Sequence, residues 1–282
     1  MSYTLIDKNI VRRIYGHRDS WSHKGDFGKL LIVGGSEEYT GSPALVALSA
    51  LRSGCDFAKI FAPVRSADAC SNFSPEIIAI PYNRQYFDQD AITDIEKLSE
   101  WADAVEIGNG MGRDRQQGEL VKLVQKRIKK KLIIDADGLK VLDRNLLNFD
   151  TLLTPNSYEF SVLFDRKLSN DLNERVKAVK EKADEFKTVI LLKGHVDVIS
   201  DGEAVFINKT NSSYMTKAGT GDTLAGIASG LIAQGNNVLD SACAAAYING
   251  YTGRLVAKAK KEALSPVDII NNIYLTITRF KY

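Results

Sequence analysis

The sequence predicts an α/β fold, with a mainly parallel central sheet and helices on its faces. Short apolar runs rich in β-branched residues recur along the chain, and helical patterns lie between several of them. Near residue 200 the alternation ends in two strand-like runs joined by Asp201 and Gly202, a pair typical of a β-hairpin. No repeat, low-complexity linker or break in composition divides the chain. We therefore expect a single domain over residues 1–282.

The predicted strands are nearly continuous apolar runs, which is typical of buried parallel strands. Their runs begin at Lys29, Phe57, Pro75, Ala104, Lys131, Thr151 and Thr188. The clearest helix between them has Ser42 as its expected cap, Pro43 in its first turn and Gly54 at its end. The last third reads as helical, with an amphipathic pattern from Asp222 and another from Asn237 to about Lys260.

Composition and charge exclude several classes of protein. Hydrophobic residues make up 44% of the 282 and charged residues 26%, which is typical of a globular protein. The net charge of +2 combines 37 basic and 35 acidic residues, so we expect neither nucleic acid nor a membrane as partner. Cys55, Cys70 and Cys243 form no CxxC pair, and no run resembles a signal peptide or a membrane span. We expect a cytoplasmic protein.

Several predicted strands end in glycine, asparagine or aspartate. These ends are Gly34-Gly35, Gly108-Asn109-Gly110, Asp135-Ala136-Asp137-Gly138, Pro155-Asn156 and Lys193-Gly194. In open parallel sheets, ligands bind outside the carboxyl ends of the strands. These segments therefore predict one cleft, although either aspartate at 135 and 137 also suits a helix cap.

A glycine-rich segment at the start of the amphipathic helix near residue 222 is the strongest candidate for chemistry. It consists of Ala218, Gly219, Thr220, Gly221 and Asp222. Helix-start amides and the helix dipole favour an anion such as phosphate, and glycine allows a ligand to approach the backbone closely. Asp222 would then act as a base, the alternative being a simple helix cap. Gly226 and Gly230 would let this helix pack closely against a neighbour.

Two further segments follow strand ends. Lys193, Gly194, His195, Val196 and Asp197 would present backbone and an amine to a nucleotide, the alternative being a plain turn. No second histidine or cysteine lies at ligand spacing from His195, which argues against a metal ligand there. Asn156 and Glu159 fit a capping box, or alternatively a site where Glu159 holds Mg²⁺ through water.

The loop from Gly108 to Gly112 would approach a flat ligand, but it lacks the third glycine of the dinucleotide fingerprint. A Rossmann dehydrogenase is therefore disfavoured.

Taken in order, these motifs carry a resemblance over roughly residues 28–235. The segments are GKLLIVGGSEEYTGSPALVALSALRSG, GNGMG, DADGL, TPNSYEF, KGHVD and AGTGDTLAGIASGLIAQG. The chain resembles the nucleotide-dependent NAD(P)H-hydrate dehydratases, a metabolite-repair family. The resemblance implies a ribokinase-like, three-layer α/β/α fold with a β-hairpin near the nucleotide site. It also implies ADP or ATP as phosphoryl donor, Mg²⁺, hydrated NADH or NADPH (NADHX or NADPHX) as substrate, and a homo-oligomer, expected to be a tetramer.

The resemblance also implies site roles. It places Gly41, Ser42, Gly110 and Asn156 near the hydrated nicotinamide, residues 193–197 on the adenine nucleotide, Gly221 on its phosphates and Asp222 at the reacting hydroxyl. Family members usually have Ala where Ser42 stands and His where Asn156 stands. Bifunctional relatives carry an epimerase domain, for which we expect no room in 282 residues.

Three hypotheses follow. The leading one is a lyase in which Asp222 deprotonates the substrate hydroxyl, the hydroxyl is phosphorylated and phosphate is then eliminated. The second, suggested by Asn156 and Glu159, is a sugar or hydroxymethylpyrimidine-type kinase of the same fold. The third is a nucleotide-sensing protein without catalysis.

Overall fold

The computed structural model describes residues 2–281, and ten strands of that part form one sheet. Most of them are short, apolar and largely buried, as expected of strands covered on both faces. The strands are β1 (Thr4–Leu5), β2 (Lys29–Val33), β3 (Phe57–Pro63), β4 (Ile78–Tyr82), β5 (Ala104–Ile107), β6 (Lys131–Ile134), β7 (Thr151–Leu153), β8 (Val189–Leu192), β9 (Asp197–Ser200) and β10 (Val205–Asn208).

The sheet is parallel except at β9. Its strand order is β1-β10-β9-β8-β7-β6-β5-β2-β3-β4, and β9 runs antiparallel to both β8 and β10. The β9–β10 hairpin at Asp201 and Gly202 is confirmed. The chain adds β3 and β4 on one side of β2, then returns to add β5 and its successors on the other side. This reversal between β2 and β5 is a topological switch point, where open parallel sheets bind ligands.

Helices cover both faces of the sheet, which confirms the predicted three layers. One layer contains α1 (Asn9–Ile14), α2 (Ser42–Arg52), α3 (Val64–Ser71), α8 (Thr220–Ala233), α9 (Val238–Lys260) and α10 (Pro266–Lys281). The opposite layer contains α4 (Ile92–Trp101), α5 (Arg115–Arg127), α6 (Ser157–Phe164) and α7 (Leu172–Phe186).

Helix α8 lies directly against α2, and two glycines make this possible. A Cβ on Gly226 would lie 2.3 Å from the carbonyl oxygen of Val46, and one on Gly230 would lie 2.8 Å from the Cα of Ala50. Both distances are far below van der Waals contact, so only glycine fits at this packing distance. The predicted close packing of the helix is therefore confirmed, and it fixes the start of α8 relative to α2.

The structure corrects one cap and adds elements that the sequence patterns did not predict. Helix α2 begins at Ser42, so Gly41 occupies the cap position and the expectation that Ser42 caps the helix is wrong. Pro43 in the first turn is confirmed. The unpredicted elements are β1 and α1 near the amino terminus and the two-turn α3. Within residues 2–281, no helix is long and apolar enough to cross a membrane.

Candidate active site

A cavity of about 620 Å³ opens at the carboxyl ends of the strands, where the sequence predicted a cleft. Its volume lies within the range of small-molecule sites, roughly 300–1,000 Å³. The lining includes Asn156, Lys193, Gly194, His195, Asp197, Asn211, Ser212, Ser213, Met215, Thr216, Lys217, Ala218, Thr220, Gly221, Leu224 and Asn249. The predicted residues after β7 and β8 thus share one cavity with the start of α8.

Another cavity, of about 630 Å³, lies at the opposite ends of the strands, beside Gly28, Lys131 and Thr151. These residues lie at or next to the amino ends of their strands. Ligands of parallel sheets bind at the carboxyl ends, and the buried charges described next also lie there. We therefore assign the candidate site to the 620 Å³ cavity.

Four side chains at the carboxyl ends of the strands form a hydrogen-bonded group that we call the central cluster: Asn109, Asp135, Lys193 and Asp222. Of these, Lys193 also lines the cavity. The side-chain amide of Asn109 donates to Asp222 Oδ1 at 2.7 Å and to Asp135 Oδ2 at 3.0 Å. The Lys193 ammonium donates to Asp135 Oδ1 at 2.8 Å. The central cluster joins the ends of β5, β6 and β8 to the first turn of α8.

Asp222 does not serve as a helix cap, because Gly219 occupies that position in the left-handed conformation, with φ of +91°. Its carboxylate instead accepts the Asn109 amide. Burial and the neighbouring carboxylate of Asp135 raise the pKa of Asp222. Hydrogen bonds from Asn109 and Ser42 and the charge of Lys193 act to lower it, but the pKa is raised overall. A carboxylate with a raised pKa is a stronger base than an ordinary aspartate, which suits a proton acceptor.

Lys193 keeps its positive charge inside the protein. Burial lowers its pKa, but the carboxylates of Asp135 and Glu159 outweigh burial and raise the pKa overall. A Cβ placed on Gly221 would lie 3.3 Å from Lys193 Nζ, so the ammonium lies directly beside the start of α8. The cation and the helix-start amides therefore face the same part of the cavity, an arrangement that favours a phosphate group.

Asn156 and Glu159 form a capping box at the start of α6. The backbone N–H of Glu159 donates to Asn156 Oδ1 at 2.9 Å, and the backbone N–H of Asn156 donates to Glu159 Oε2 at 2.8 Å. The same carboxylate oxygen lies 3.9 Å from Lys193 Nζ. Helix capping therefore accounts for the NxxE spacing. Asn156, expected near the substrate, lies on the wall of the 620 Å³ cavity.

The segment after β8 divides between the cavity wall and the protein interior. Gly194 and His195 are exposed in the cavity wall, while Val196 packs against the apolar layer beneath it. Asp197 is buried, and it accepts hydrogen bonds from the Gly194 amide and from the side chains of Asn208 and Asn211. Asp197 thus holds this turn in place from below, with part of its surface on the cavity.

The segment before α8 is the other side of the same wall. Ala218 is exposed, and the Thr220 hydroxyl donates to the carbonyls of Met215 and Lys217 at 2.8 and 2.9 Å. Gly219 packs against Leu45 and Pro266. The backbone of this segment therefore faces the cavity, and the Thr220 hydroxyl stabilises the turn.

Gly41, Ser42 and Gly110 lie together on the other side of Asp222. A Cβ on Gly110 would lie 3.4 Å from the Cβ of Ser42 and 2.9 Å from that of Tyr39. The Ser42 hydroxyl is close enough to stabilise charged Asp222. Asp222 follows Gly221, which lines the 620 Å³ cavity, and its carboxylate lies beside Ser42, so it stands where the two halves of the predicted site meet.

Sequence reasoning missed the roles of Asn109 and Asp135 as partners of Asp222 and Lys193. It also missed Thr154, whose hydroxyl donates to Asp135 Oδ1 at 2.7 Å. Both Asn109 and Asp135 stand in strand-end segments with several candidate polar residues, and only the folded chain shows which of them face the cleft.

The mostly parallel sheet, the cavity at its carboxyl edge and the acidic residue at a glycine-flanked helix start define a ribokinase-like α/β protein. Two solved structures agree with this fold over 99% of the chain. A ribokinase-like superfamily protein from Enterococcus faecalis has a TM-score of 0.87 at 22% identity, with 96% of that chain covered. The ADP/ATP-dependent NAD(P)H-hydrate dehydratase from Bacillus subtilis, co-crystallised with ATP/Mg²⁺, has a TM-score of 0.83 at 24% identity, with 99% covered.

Sequence comparison defines the family within this fold. The NAD(P)H-hydrate dehydratase family profile matches residues 30–275. An ADP-dependent (S)-NAD(P)H-hydrate dehydratase from Nitrosopumilus maritimus is 35% identical over 285 residues, covering 99% of both chains. A bifunctional NAD(P)H-hydrate repair enzyme from Pyrobaculum aerophilum is 37% identical over 263 residues, covering 93% of this chain and 52% of the relative. The chain spans about half the length of several such bifunctional relatives. It belongs to the NAD(P)H-hydrate dehydratase family.

Proposed function

We propose that this chain catalyses the ADP- or ATP-dependent dehydration of hydrated NADH and NADPH, with Mg²⁺, to restore NADH and NADPH. The observation that carries the proposal is the position of Asp222. It follows Gly221 of the cavity wall, and its carboxylate contacts Asn109 and lies beside Ser42, within a chain of this family.

The residues of the cavity fit an adenine nucleotide. Gly221 leaves room that a side chain would fill, and Lys193 supplies a partly buried cation beside it. We assign the phosphates to the amides of residues 218–221 and to Lys193, and the adenosine to the wall formed by residues 193–197. Asn156 would contact ligand from the same wall.

The donor chemistry also fits Mg²⁺. No group of three His, Cys, Asp or Glu side chains in residues 2–281 is arranged to hold a metal ion. Mg²⁺ commonly binds through one or two carboxylates, water and substrate phosphates, so Glu159 would hold it through water. Bound there, Mg²⁺ would neutralise charge on the phosphates and on the transferring phosphoryl group.

In the first proposed step, Asp222 accepts the proton of the substrate hydroxyl. The hydroxyl oxygen forms a bond to the terminal phosphorus of the nucleotide, and the bond from that phosphorus to the bridging oxygen breaks. Lys193 and the amides at the start of α8 stabilise the transferring charge. Asn109 and Ser42 hold the carboxylate in place for the transfer.

In the second step, the carbon–oxygen bond breaks and phosphate leaves with the electron pair. A neighbouring ring carbon loses a proton to solvent, and the electron pair of that carbon–hydrogen bond restores the ring double bond. Hydroxide is a poor leaving group and phosphate a good one, which explains why dehydration would consume a nucleotide. Gly41, Ser42 and Gly110 would position the ring beside Asp222.

The test is to incubate the protein with NADHX or NADPHX, Mg²⁺ and either ADP or ATP, and to follow the dihydronicotinamide absorbance. We expect it to recover only when nucleotide is present. No recovery with either nucleotide would reject the proposal, and a stable phosphorylated product would show a kinase instead. The family match favours dehydration over the kinase alternative.

We also propose a homo-oligomer, which the resemblance implies is a tetramer. Light scattering coupled to size exclusion would measure the mass directly, and a monomer mass would reject this part of the proposal.

A further inference from the structure

Glu106 is an ionisable residue on β5, one of the fully buried strands of the sheet. It lies on β5, paired in register with Ile32 of β2 and Ile133 of β6, and it is fully buried. Its neighbours in sequence, Val105 and Ile107, belong to the apolar layer on the opposite face. Glu106 therefore faces the layer that contains α8.

The carboxyl group of Glu106 has no compensation for its burial. Neither Oε1 nor Oε2 has a hydrogen-bond partner among the described residues. A buried carboxylate without partners is strongly disfavoured relative to the neutral acid. The great majority of buried polar side-chain atoms are hydrogen-bonded, so this exception calls for an explanation.

The two charged groups that act on Glu106 are both carboxylates. They are Asp135 at the end of β6 and Asp222 in the first turn of α8, and both raise the pKa of Glu106 in addition to the larger effect of burial. The nearest cation of the central cluster, Lys193 at the end of β8, is paired with Asp135. A charged Glu106 would thus add a fourth carboxylate to a region where Asp135, Glu159 and Asp222 already share the single ammonium of Lys193.

Glu106 and Asp222 differ in their ability to hold negative charge. Asp222 accepts the Asn109 amide at 2.7 Å and is stabilised by Ser42 and Lys193. Glu106 has no donor among residues 2–281. When two carboxyl groups interact, the proton resides on the one whose surroundings stabilise charge less.

We propose that Glu106 is a positioning residue that holds a proton at neutral pH, so that Asp222 carries the negative charge a base requires. This inference rests on the proposed function for the part that Asp222 plays in the reaction. Loss of the proton from Glu106 at alkaline pH would add a negative charge beneath the phosphate site and repel the nucleotide.

The direct test is NMR of the full chain labelled with carboxyl-¹³C glutamate, with Glu106→Gln used to assign the resonance. We expect the Glu106 carboxyl to be protonated at neutral pH, and its midpoint to fall in Asp222→Asn because a neighbouring charge is lost. Titration of Glu106 as an ordinary glutamate, or a midpoint unchanged in Asp222→Asn, would overturn the proposal.

A second readout is the dependence of stability on pH. When folding raises the pKa of a group, the group contributes stability at pH values below its pKa in the unfolded state, which is about 4.3 for glutamate. This stability is lost as the pH rises through the pKa in the folded state. The wild type should lose stability over this window relative to Glu106→Gln and to Glu106→Met. Two variants of different polarity guard against a folding defect in either one. Parallel stability curves for the wild type and both variants would contradict the proposal.

The third readout is the pH profile of nucleotide binding, measured by calorimetry with ADP and ATP. The wild type should lose nucleotide affinity at alkaline pH, by about tenfold for each unit by which bound nucleotide raises the pKa of Glu106. Glu106→Gln should not show this loss. A merely structural role would shift both proteins equally, and equal profiles would contradict the proposal. Absence of dehydration by the wild type would reject the proposed function alone, since NMR and unfolding decide the Glu106 assignment without turnover.

Discussion

The central cluster and the wall of the 620 Å³ cavity lie side by side but are built differently. The central cluster is buried and charged, and side-chain hydrogen bonds connect it, with Asn109 and Asp135 almost inaccessible. The wall is exposed at Gly194, His195 and Ala218, and most of its residues are small or polar and uncharged. Buried, hydrogen-bonded groups suit proton and phosphoryl transfer, whereas an exposed, mostly uncharged wall suits binding and release. We therefore expect changes in the central cluster to lower kcat and changes in the wall to raise KM.

Asp222→Asn should give the largest effect. It removes the proposed base but keeps the size and polarity of the side chain, so kcat should fall by about 10²–10⁴. Nucleotide affinity, measured by calorimetry, should change little. Asp240→Asn, at an exposed position on α9, is the matched control. Near-normal kcat in Asp222→Asn would remove the role assigned to this carboxylate.

Lys193→Met should affect both regions, because this side chain belongs to the central cluster and borders the cavity. The change leaves Asp135 without its ion-pair partner and removes a cation from the phosphate site, so nucleotide affinity should fall by about 10–100-fold. The pKa of Asp222 should rise further, since Lys193 lowers it. Calorimetry with ADP and ATP measures the affinity. Lys177→Met, at an exposed position of α7, is the control. Equal affinities in the two variants would show that Lys193 does not contact phosphate.

Ser42→Ala should have a smaller effect that depends on pH. The hydroxyl stabilises charged Asp222, so its loss raises the pKa of that carboxyl and leaves less of the base form at acidic pH. The acidic limb of the kcat profile should therefore move to higher pH, with little change at alkaline pH. Ser42→Thr keeps the hydroxyl and should restore the limb. An unchanged acidic limb in the alanine variant would separate Ser42 from Asp222.

His195→Ala should have the smallest effect and should act on KM. The side chain is exposed in the cavity wall and lies outside the central cluster, so the nucleotide KM should rise by a few-fold, about the loss of one surface contact of 0.5–1 kcal/mol. The control is His23→Ala, at an exposed position away from the cavity. Steady-state kinetics with varied nucleotide would measure the change, and a large fall in kcat would contradict the division between wall and cluster.

Local patterns predicted the fold well, because most of its elements have strong local signals. The β9–β10 hairpin, the start of α8 and the start of α9 at Val238 follow from residues close together in the chain. The two-residue β1 is too short to show a pattern, and the cap of α2 lies one residue before the predicted Ser42. Ser42 is beside Asp222 instead, a contact that no local rule contains.

The site was predictable in its parts but not in its connections. The glycine-flanked Asp222 and the segment after β8 stand out in the sequence, since each follows a recognisable local rule. The hydrogen bond from Asn109 to Asp222 joins residues 113 positions apart, and the Lys193–Asp135 pair joins residues 58 apart. Such contacts depend on which strands become neighbours, and the order of β5, β6 and β8 is a property of the whole sheet.

The central claim is that the nucleotide phosphorylates the substrate hydroxyl, with Asp222 as the base, and that phosphate is then eliminated. The most direct measurement is the stoichiometry of one reaction mixture, in which recovered NADH, released phosphate and consumed nucleotide are counted together. We expect equal amounts of all three in the wild type, and recovery of NADH slowed together with nucleotide consumption in Asp222→Asn. Nucleotide consumption without recovery of NADH, or recovery without consumption, would contradict the account.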